Sequence, residues 1–256
     1  MAAGELSQTA MVSVLDIAAE HAALLAQLRA IGRPYRGGAP NDSYSGSGHP
    51  FLNVSAPERR QLIRGWLADH RGASDDELIA LADRLFDAET HEEKTLAAIL
   101  LGYSARAKGA ARPAMVDGWL GKLNGWAEID SLCASVFSAQ ELARDWPAWR
   151  GLIEQLSLDR NINKRRAALV LLTTPTRTAD DDRFRDLAFV IVDRLKGERD
   201  ILITKAVSWL LRSMAARHRP AVAAYLDRSA ASLPAIAVRE TRTKLRTGTK
   251  SGRSAR

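Results

Sequence analysis

Two tryptophans and one aspartate are the residues whose types and spacing best fit a chemical role. The segment from Trp126 to Asp130 places an aromatic ring and a carboxylate one helical turn apart, on one face of a predicted helix. Trp209 lies later in the chain, in a second segment that predicts a helix. Indole rings, a carboxylate and a nearby arginine are the groups that hold a cation such as a positively charged sugar or base. The three residues therefore indicate a site for a cationic substrate.

Each of these residues also has an ordinary structural interpretation. Trp126 follows the break at Asn124 and Gly125, so it could pack at a junction between helices, with Asp130 favoured by the helix dipole. Trp209 lies among valine and leucine residues and could be a core aromatic. Residue types and spacing alone leave both interpretations open.

Other common kinds of site are absent from the sequence. The chain has no P-loop, no dinucleotide-binding fingerprint and no nucleophile elbow. The single cysteine, Cys133, excludes an intrachain disulfide and a cysteine-rich metal site. The histidines have no metal-ligand spacing; they are His21, His49, His70, His91 and His218. We therefore expect no metal and no cofactor.

The net charge of +7 is concentrated near the C-terminus. Seven basic residues and one acidic residue follow Val238, so six of the seven net charges belong to that stretch. A basic tail of this kind either adds salt-sensitive affinity for phosphates or only keeps the chain soluble, and charge does not distinguish the two. The rest of the chain is nearly neutral, which argues against a broad basic groove.

Local signals predict an all-α fold. Three Ser-x-x-Glu segments, which begin at Ser55, Ser74 and Ser138, have the pattern of a capping box at the start of a helix. Apolar residues at three- and four-residue spacing follow them, and alternating strand patterns are missing. No apolar run approaches the ~18 residues that a membrane span needs, so we expect a cytoplasmic protein without membrane contact.

Three segments that begin at Lys94, Lys164 and Lys205 look like one helix repeated. Their lysines are 70 and 41 residues apart, which fits a unit of roughly 35–45 residues as in HEAT-type arrays. We therefore predict one curved solenoid of HEAT-like antiparallel helix pairs over residues 1–245. In it, a helix spans residues 12–30, a loop spans 31–50 and the repeat array spans 51–245. Residues 246–256 are predicted to be a disordered basic tail.

Four motifs, in one order and spacing, connect the chain to a known family. They are Tyr44-x5-Pro50-Phe51-Leu52 followed by residues 56–62, Trp126-x3-Asp130, Arg166-Ala167-Ala168, and Lys205-x3-Trp209-x2-Arg212. With these motifs the chain resembles the bacterial DNA alkylation repair glycosylases of the AlkD type, which are built from HEAT-like repeats. Two positions depart from the family pattern, because Ala127 stands where the family often has aspartate and Asn163 where it usually has tryptophan.

The resemblance implies an enzyme that removes N3- and N7-alkylated purines from double-stranded DNA without flipping the base fully out of the helix. It implies that Asp130 stabilises the oxocarbenium-like sugar and positions water, while Trp126 and Trp209 line the sugar and the cationic base. It places Arg166 on a backbone phosphate, with Arg165 as the alternative. The other expected DNA contacts are Tyr44, Lys205 and Arg212.

Two other functions remain open on the sequence. One is a non-catalytic HEAT-like protein that binds damaged or branched DNA, which Ala127 favours and Asp130 disfavours, because phosphate binding gains nothing from a carboxylate. The other is a protein-binding helical scaffold. In either case we expect a monomer, and for the enzyme a cytoplasmic location at the bacterial nucleoid.

Overall fold

The computed structural model describes residues 15–34 and 46–252. The segments with apolar residues at three- and four-residue spacing are helices in it. No strand occurs within these two ranges. The helices are α1 (Ile17–Ile31), α2 (Ala56–Asp69), α3 (Asp75–Asp87), α4 (His91–Tyr103), α5 (Ala105–Ala110), α6 (Pro113–Leu120), α7 (Gly125–Ser135), α8 (Ala139–Arg144), α9 (Trp146–Leu156), α10 (Ile162–Val170), α11 (Thr173–Thr178), α12 (Asp182–Leu195), α13 (Ile201–Met214), α14 (Arg219–Ser229) and α15 (Ala235–Thr247). Tyr44 lies outside the described residues. No helix in the described ranges is both long enough and apolar enough to cross a membrane.

The predicted capping boxes set the starts of three helices. Ser55, Ser74 and Ser138 each accept a hydrogen bond from a first-turn amide, and the glutamate three residues later accepts one from the serine amide. A fourth box, which the sequence analysis did not identify, joins Thr90 and Glu93 at the start of α4. These local bonds satisfy amide groups that a helix start otherwise leaves without partners.

Six helices pack side by side in an order that follows the chain, and we call them the main row: α2, α4, α7, α10, α13 and α15. Four helices outside the row each pack on one of its members, with α3 on α4, α9 on α10, α12 on α13 and α14 on α15. The three lysine-led segments that the repeat analysis treated as equivalent become α4, α10 and α13, all in this row. The prediction of an all-helical fold built from paired helices is confirmed.

Two buried charged residues of α4 form hydrogen bonds with the backbone of neighbouring segments. The buried carboxylate of Glu92 accepts hydrogen bonds from the amides of Leu52 and Val54, so the segment before α2 is fixed to α4. The ammonium of Lys94 donates to the Phe86 carbonyl at 2.9 Å and holds the end of α3. Buried charges are tolerated only when paired or hydrogen-bonded in this way.

The last helix of the described residues is α15, which packs on α13 and extends to Thr247. The predicted tail therefore begins with two residues that are helical. Gly248 then adopts a left-handed conformation with φ 76°, which favours glycine and ends the helix. Beyond it, Lys250 lies 3.4 Å from Glu240 of α15 and forms an ion pair.

Candidate functional site

Asp130 and Arg166 meet between two neighbouring helices of the main row. Asp130 lies one turn after Trp126 on α7, and Arg166 lies in the middle of α10. The guanidinium donates from Nε to Oδ1 at 2.9 Å and from Nη2 to Oδ2 at 2.7 Å. This bidentate geometry fixes the plane of the carboxylate as well as its position.

Arg166 also reaches a third helix of the row. Its Nη1 donates to the carbonyl of Leu202 in the first turn of α13. Arg166 is 4% exposed, so its charge lies inside the protein and contacts α7, α10 and α13 together. The structure thus places the arginine that the resemblance assigned to a DNA phosphate in contact with the aspartate that it assigned to the sugar.

The pKa of Asp130 is raised above its ordinary value because burial penalises the carboxylate more than Arg166 favours it. The hydrogen bonds and the positive charge of Arg166 act in the opposite direction and limit the rise. The side chain keeps 16% of its surface exposed, so it is accessible from outside although its surroundings are largely dry. Charges in such surroundings act on a neighbouring cation more strongly than they do in water.

The two tryptophans lie on the helices that flank α10. Trp126 is the second residue of α7 and Trp209 is in the middle of α13, and both are partly exposed. Trp209 packs against the hydrophobic core. The site therefore has one indole on the helix before Arg166 and one on the helix after it.

Asn163 fixes the beginning of α7 from the neighbouring helix. Its carbonyl oxygen accepts a hydrogen bond from the Gly125 amide at 3.1 Å, and its amide nitrogen donates to the Asn124 side chain at 3.3 Å. Gly125 has φ 69°, a left-handed backbone conformation that glycine adopts readily and other residues rarely do. Asn163 lies one turn before Arg166, so α10 holds α7 at two points, one at its first residue and one at Asp130.

Glu128 also fixes the start of α7, through groups that do not belong to α10. It is 1% exposed and accepts hydrogen bonds from the Asn124 amide at 3.0 Å and from the Ser47 hydroxyl. The Nδ1 atoms of His49 and His91 lie 3.1 and 3.0 Å from its oxygens. One buried carboxylate therefore joins the segment before α2, the start of α4 and the start of α7.

Burial alone would raise the pKa of Glu128, but hydrogen bonds from His91, Asn124, Ser47 and His49 favour the ionised form and lower it overall. Local sequence does not reveal the role of Glu128, because its side-chain partners are 37 to 81 residues away in the chain. The amide of Asn124, four residues before Glu128, was the only local signal.

The remaining predicted DNA contacts differ in how available they are. Arg165 donates to both carboxylate oxygens of Glu198, at 2.7 and 3.0 Å, and to two backbone carbonyls. Arg212 lies 3.3 Å from Glu240, and burial lowers the pKa of its guanidinium. Lys205 is exposed and makes no hydrogen bond or ion pair with any described residue. Lys205, one turn before Trp209, is therefore the most available cation of the predicted set.

Comparison with known proteins supports the resemblance. Residues 24–245 match the sequence model of the family described as DNA alkylation repair enzyme. A solved structure described as a predicted DNA alkylation repair enzyme from Enterococcus faecalis has a TM-score of 0.58 and 19% sequence identity, and the match covers 75% of this chain and 87% of that chain. This structural likeness shows a common fold. No curated protein gives a significant match.

Replacing Arg166 should raise the pKa of Asp130 further. Arg166→Gln removes the positive charge that opposes the effect of burial, so the carboxyl should titrate at a higher pH than in the unchanged protein. A carbon-13 NMR titration of the aspartate carboxyls measures this. Arg165→Gln is the matched control, since Arg165 contacts Glu198 instead. An equal or lower pKa in Arg166→Gln would contradict the described pairing.

Replacing Glu128 should destabilise the protein in a pH-dependent way. Because the folded state lowers its pKa, Glu128 stabilises the fold above the pH range in which an unfolded glutamate titrates, and this contribution is lost as the pH falls through the folded pKa. Glu128→Gln should therefore lower the free energy of unfolding by about 3 kcal/mol at pH 7, and by less in acid. Urea denaturation at several pH values measures the difference.

The control for this change is Glu154→Gln, which removes an exposed ion pair with Arg150 on α9. Such a pair is worth about 0.3–0.5 kcal/mol. A Glu128→Gln variant as stable as this control would show that the buried cluster does not hold the fold together.

Proposed function

The chain belongs to the DNA alkylation repair enzyme family, and from this premise we propose that it is a DNA glycosylase. Its substrates are positively charged N3- and N7-alkylated purines in duplex DNA. The observation that carries the proposal is the Asp130 carboxylate, which is partly exposed, bound by Arg166, and located on a helix that also bears Trp126. A carboxylate held in this way suits a reaction in which positive charge develops on a sugar.

An alkylated purine of this class is already a cation, so its departure needs no proton from the enzyme. The bond between C1′ and the base nitrogen breaks, its electron pair neutralises the base, and the sugar becomes an oxocarbenium-like cation. Asp130 stabilises that cation electrostatically, and its largely buried position strengthens the attraction. Water then adds to C1′ and loses a proton, for which Asp130 is the nearest proposed base.

Arg166 acts in this proposal as a positioning residue. Each oxygen of Asp130 accepts one hydrogen bond from it, and an ionised carboxylate has about four acceptor sites, so sites remain for a water molecule. Three of the five N–H groups of the guanidinium are used by Asp130 and Leu202. The other two are the groups that a phosphate contact by Arg166 would use.

The aromatic and basic residues complete the proposed DNA contacts. The faces of Trp126 and Trp209 line the sugar and the cationic base, where cation–π attraction is worth about 0.5–2 kcal/mol. Lys205 binds a backbone phosphate, because it is exposed and lacks a partner among the described residues. A site assembled from three adjacent helices suits a base that stays largely within the duplex.

One observation favours a second candidate function. Because Arg166 pairs with Asp130, the net charge of the two groups is zero, and such a neutral pair also fits a protein that binds damaged or branched DNA without cutting a bond. The two functions differ in whether base release depends on the Asp130 carboxylate.

Asp130→Asn should lower base release from duplex DNA containing N7-methylguanine by about 100-fold or more, because the charge opposite the sugar is lost. Binding to the same duplex should persist, since a negative charge near phosphates is removed. Release of free base and fluorescence anisotropy measure the two quantities. The matched control is Asp227→Asn on α14, an exposed aspartate that should leave both unchanged.

Three other outcomes separate the hypotheses. Equal release by Asp130→Asn and the unchanged protein would refute the mechanism. Binding without release by the unchanged protein, for N7 and N3 adducts alike, would support the non-catalytic DNA-binding function. If the unchanged protein neither binds these duplexes nor releases base, the protein-binding scaffold is the function that remains.

A further inference from the structure

A small cavity lies beside the proposed active site, on the opposite side of α7 from Arg166. Its volume is about 150 Å³. The polar groups that line it come from three neighbouring helices of the main row: Arg59 and Arg60 from α2, Thr95 and Tyr103 from α4, and Ser131 and Ser135 from α7. At a liquid volume of about 30 Å³ per molecule, the cavity has room for roughly five waters, which is more than one phosphate group needs.

Arg59 is a largely buried cation whose hydrogen bonds are mostly unmade. Of the five N–H groups of its guanidinium, one contacts the Thr95 hydroxyl, and Nε is buried with no partner among the described residues. No described carboxylate lies within ion-pair distance of it. Burial lowers the pKa of Arg59, and the charge of Glu92 offsets this only in part. An anion in the cavity would supply the missing acceptors.

The neighbouring groups favour the same kind of ligand. The guanidinium of Arg60 is exposed and donates to no acceptor in the described ranges. Ser135 has a hydroxyl with no described partner, while the hydroxyls of Thr95 and Ser131 donate to backbone carbonyls. Two planar, positively charged guanidinium groups beside a free hydroxyl offer several donors, which suits the oxygens of a phosphate better than a neutral ligand.

We propose that this cavity is a phosphate-binding site in which Arg59 and Arg60 hold one phosphate of the DNA backbone. That the phosphate belongs to DNA rests on the proposed function, whereas the inference that a phosphate binds here rests on the residues that line the cavity. Asp130 and Ser131 are consecutive on α7, with Asp130 toward α10 and Ser131 toward α4. The proposed phosphate site therefore borders the same helix that bears the proposed catalytic carboxylate.

The test is the salt dependence of binding to an undamaged duplex, measured by fluorescence anisotropy. Arg59→Gln and Arg60→Gln should each reduce the slope of log K against log salt, and the double variant should reduce it by about 0.9, the value for one lost phosphate contact. Arg84→Gln, which removes an exposed and unpaired arginine on α3, is the matched control and should leave the slope unchanged. Because Arg60 is exposed, its variant tests the site even if Arg59→Gln does not fold.

A second arm locates the contact and separates this proposal from the proposed function. A single uncharged methylphosphonate, moved one position at a time along an N7-methylguanine duplex, should weaken binding of the unchanged protein at one position near the lesion. Arg59→Gln should lack this effect. Slopes equal to that of Arg84→Gln in both variants would overturn the proposal. If the unchanged protein binds no DNA, the proposed function fails. The cavity is then tested separately, by measuring the melting temperature of the protein with and without pyrophosphate. A rise in melting temperature that Arg59→Gln and Arg60→Gln lack would keep the phosphate site, and no rise would remove it.

Discussion

The ion pair between Asp130 and Arg166 is the interaction on which the candidate site depends. Taking either charge out of water alone costs several kcal/mol, so each is stable in its position only with the other present. The pair also sets geometry, because the guanidinium contacts the carboxylate at two atoms and the Leu202 carbonyl at a third. Three helices are therefore aligned by the same group that orients the proposed catalytic carboxylate, and folding and chemistry share one constraint.

The groups around this pair are arranged to keep α7 from moving. Asn163 binds its first residue from α10, and Glu128 binds its start to α4 and to the segment that precedes α2. Both side chains are buried. A carboxylate must be held within about 0.5 Å of its working position to be effective, and that accuracy comes from supporting residues of this kind.

Local features of the structure could be predicted from the sequence, and long-range ones could not. Capping boxes and apolar spacing involve residues three or four positions apart, so the helix starts at Ser55, Ser74 and Ser138 were correct. The motifs identified the family without stating what each residue contacts. Arg166 was expected on a phosphate, yet its contacts with Asp130 cross 36 residues of chain, and no spacing rule reports such a pair. Glu128 escaped notice for the same reason.

Because α7 depends on Asn163 and Glu128 for its position, transferring the proposed site to another protein requires more than its own motif. A graft of the Trp126 and Asp130 motif into another helical array would transfer the reactive groups without the side chains that fix their helix. The family pattern given above expects tryptophan at the position of Asn163, and a recipient with that residue would not supply the side-chain acceptor for the Gly125 amide. A design that transplants the proposed site would therefore have to move α7 together with its contacts to α10 and to the segment before α2.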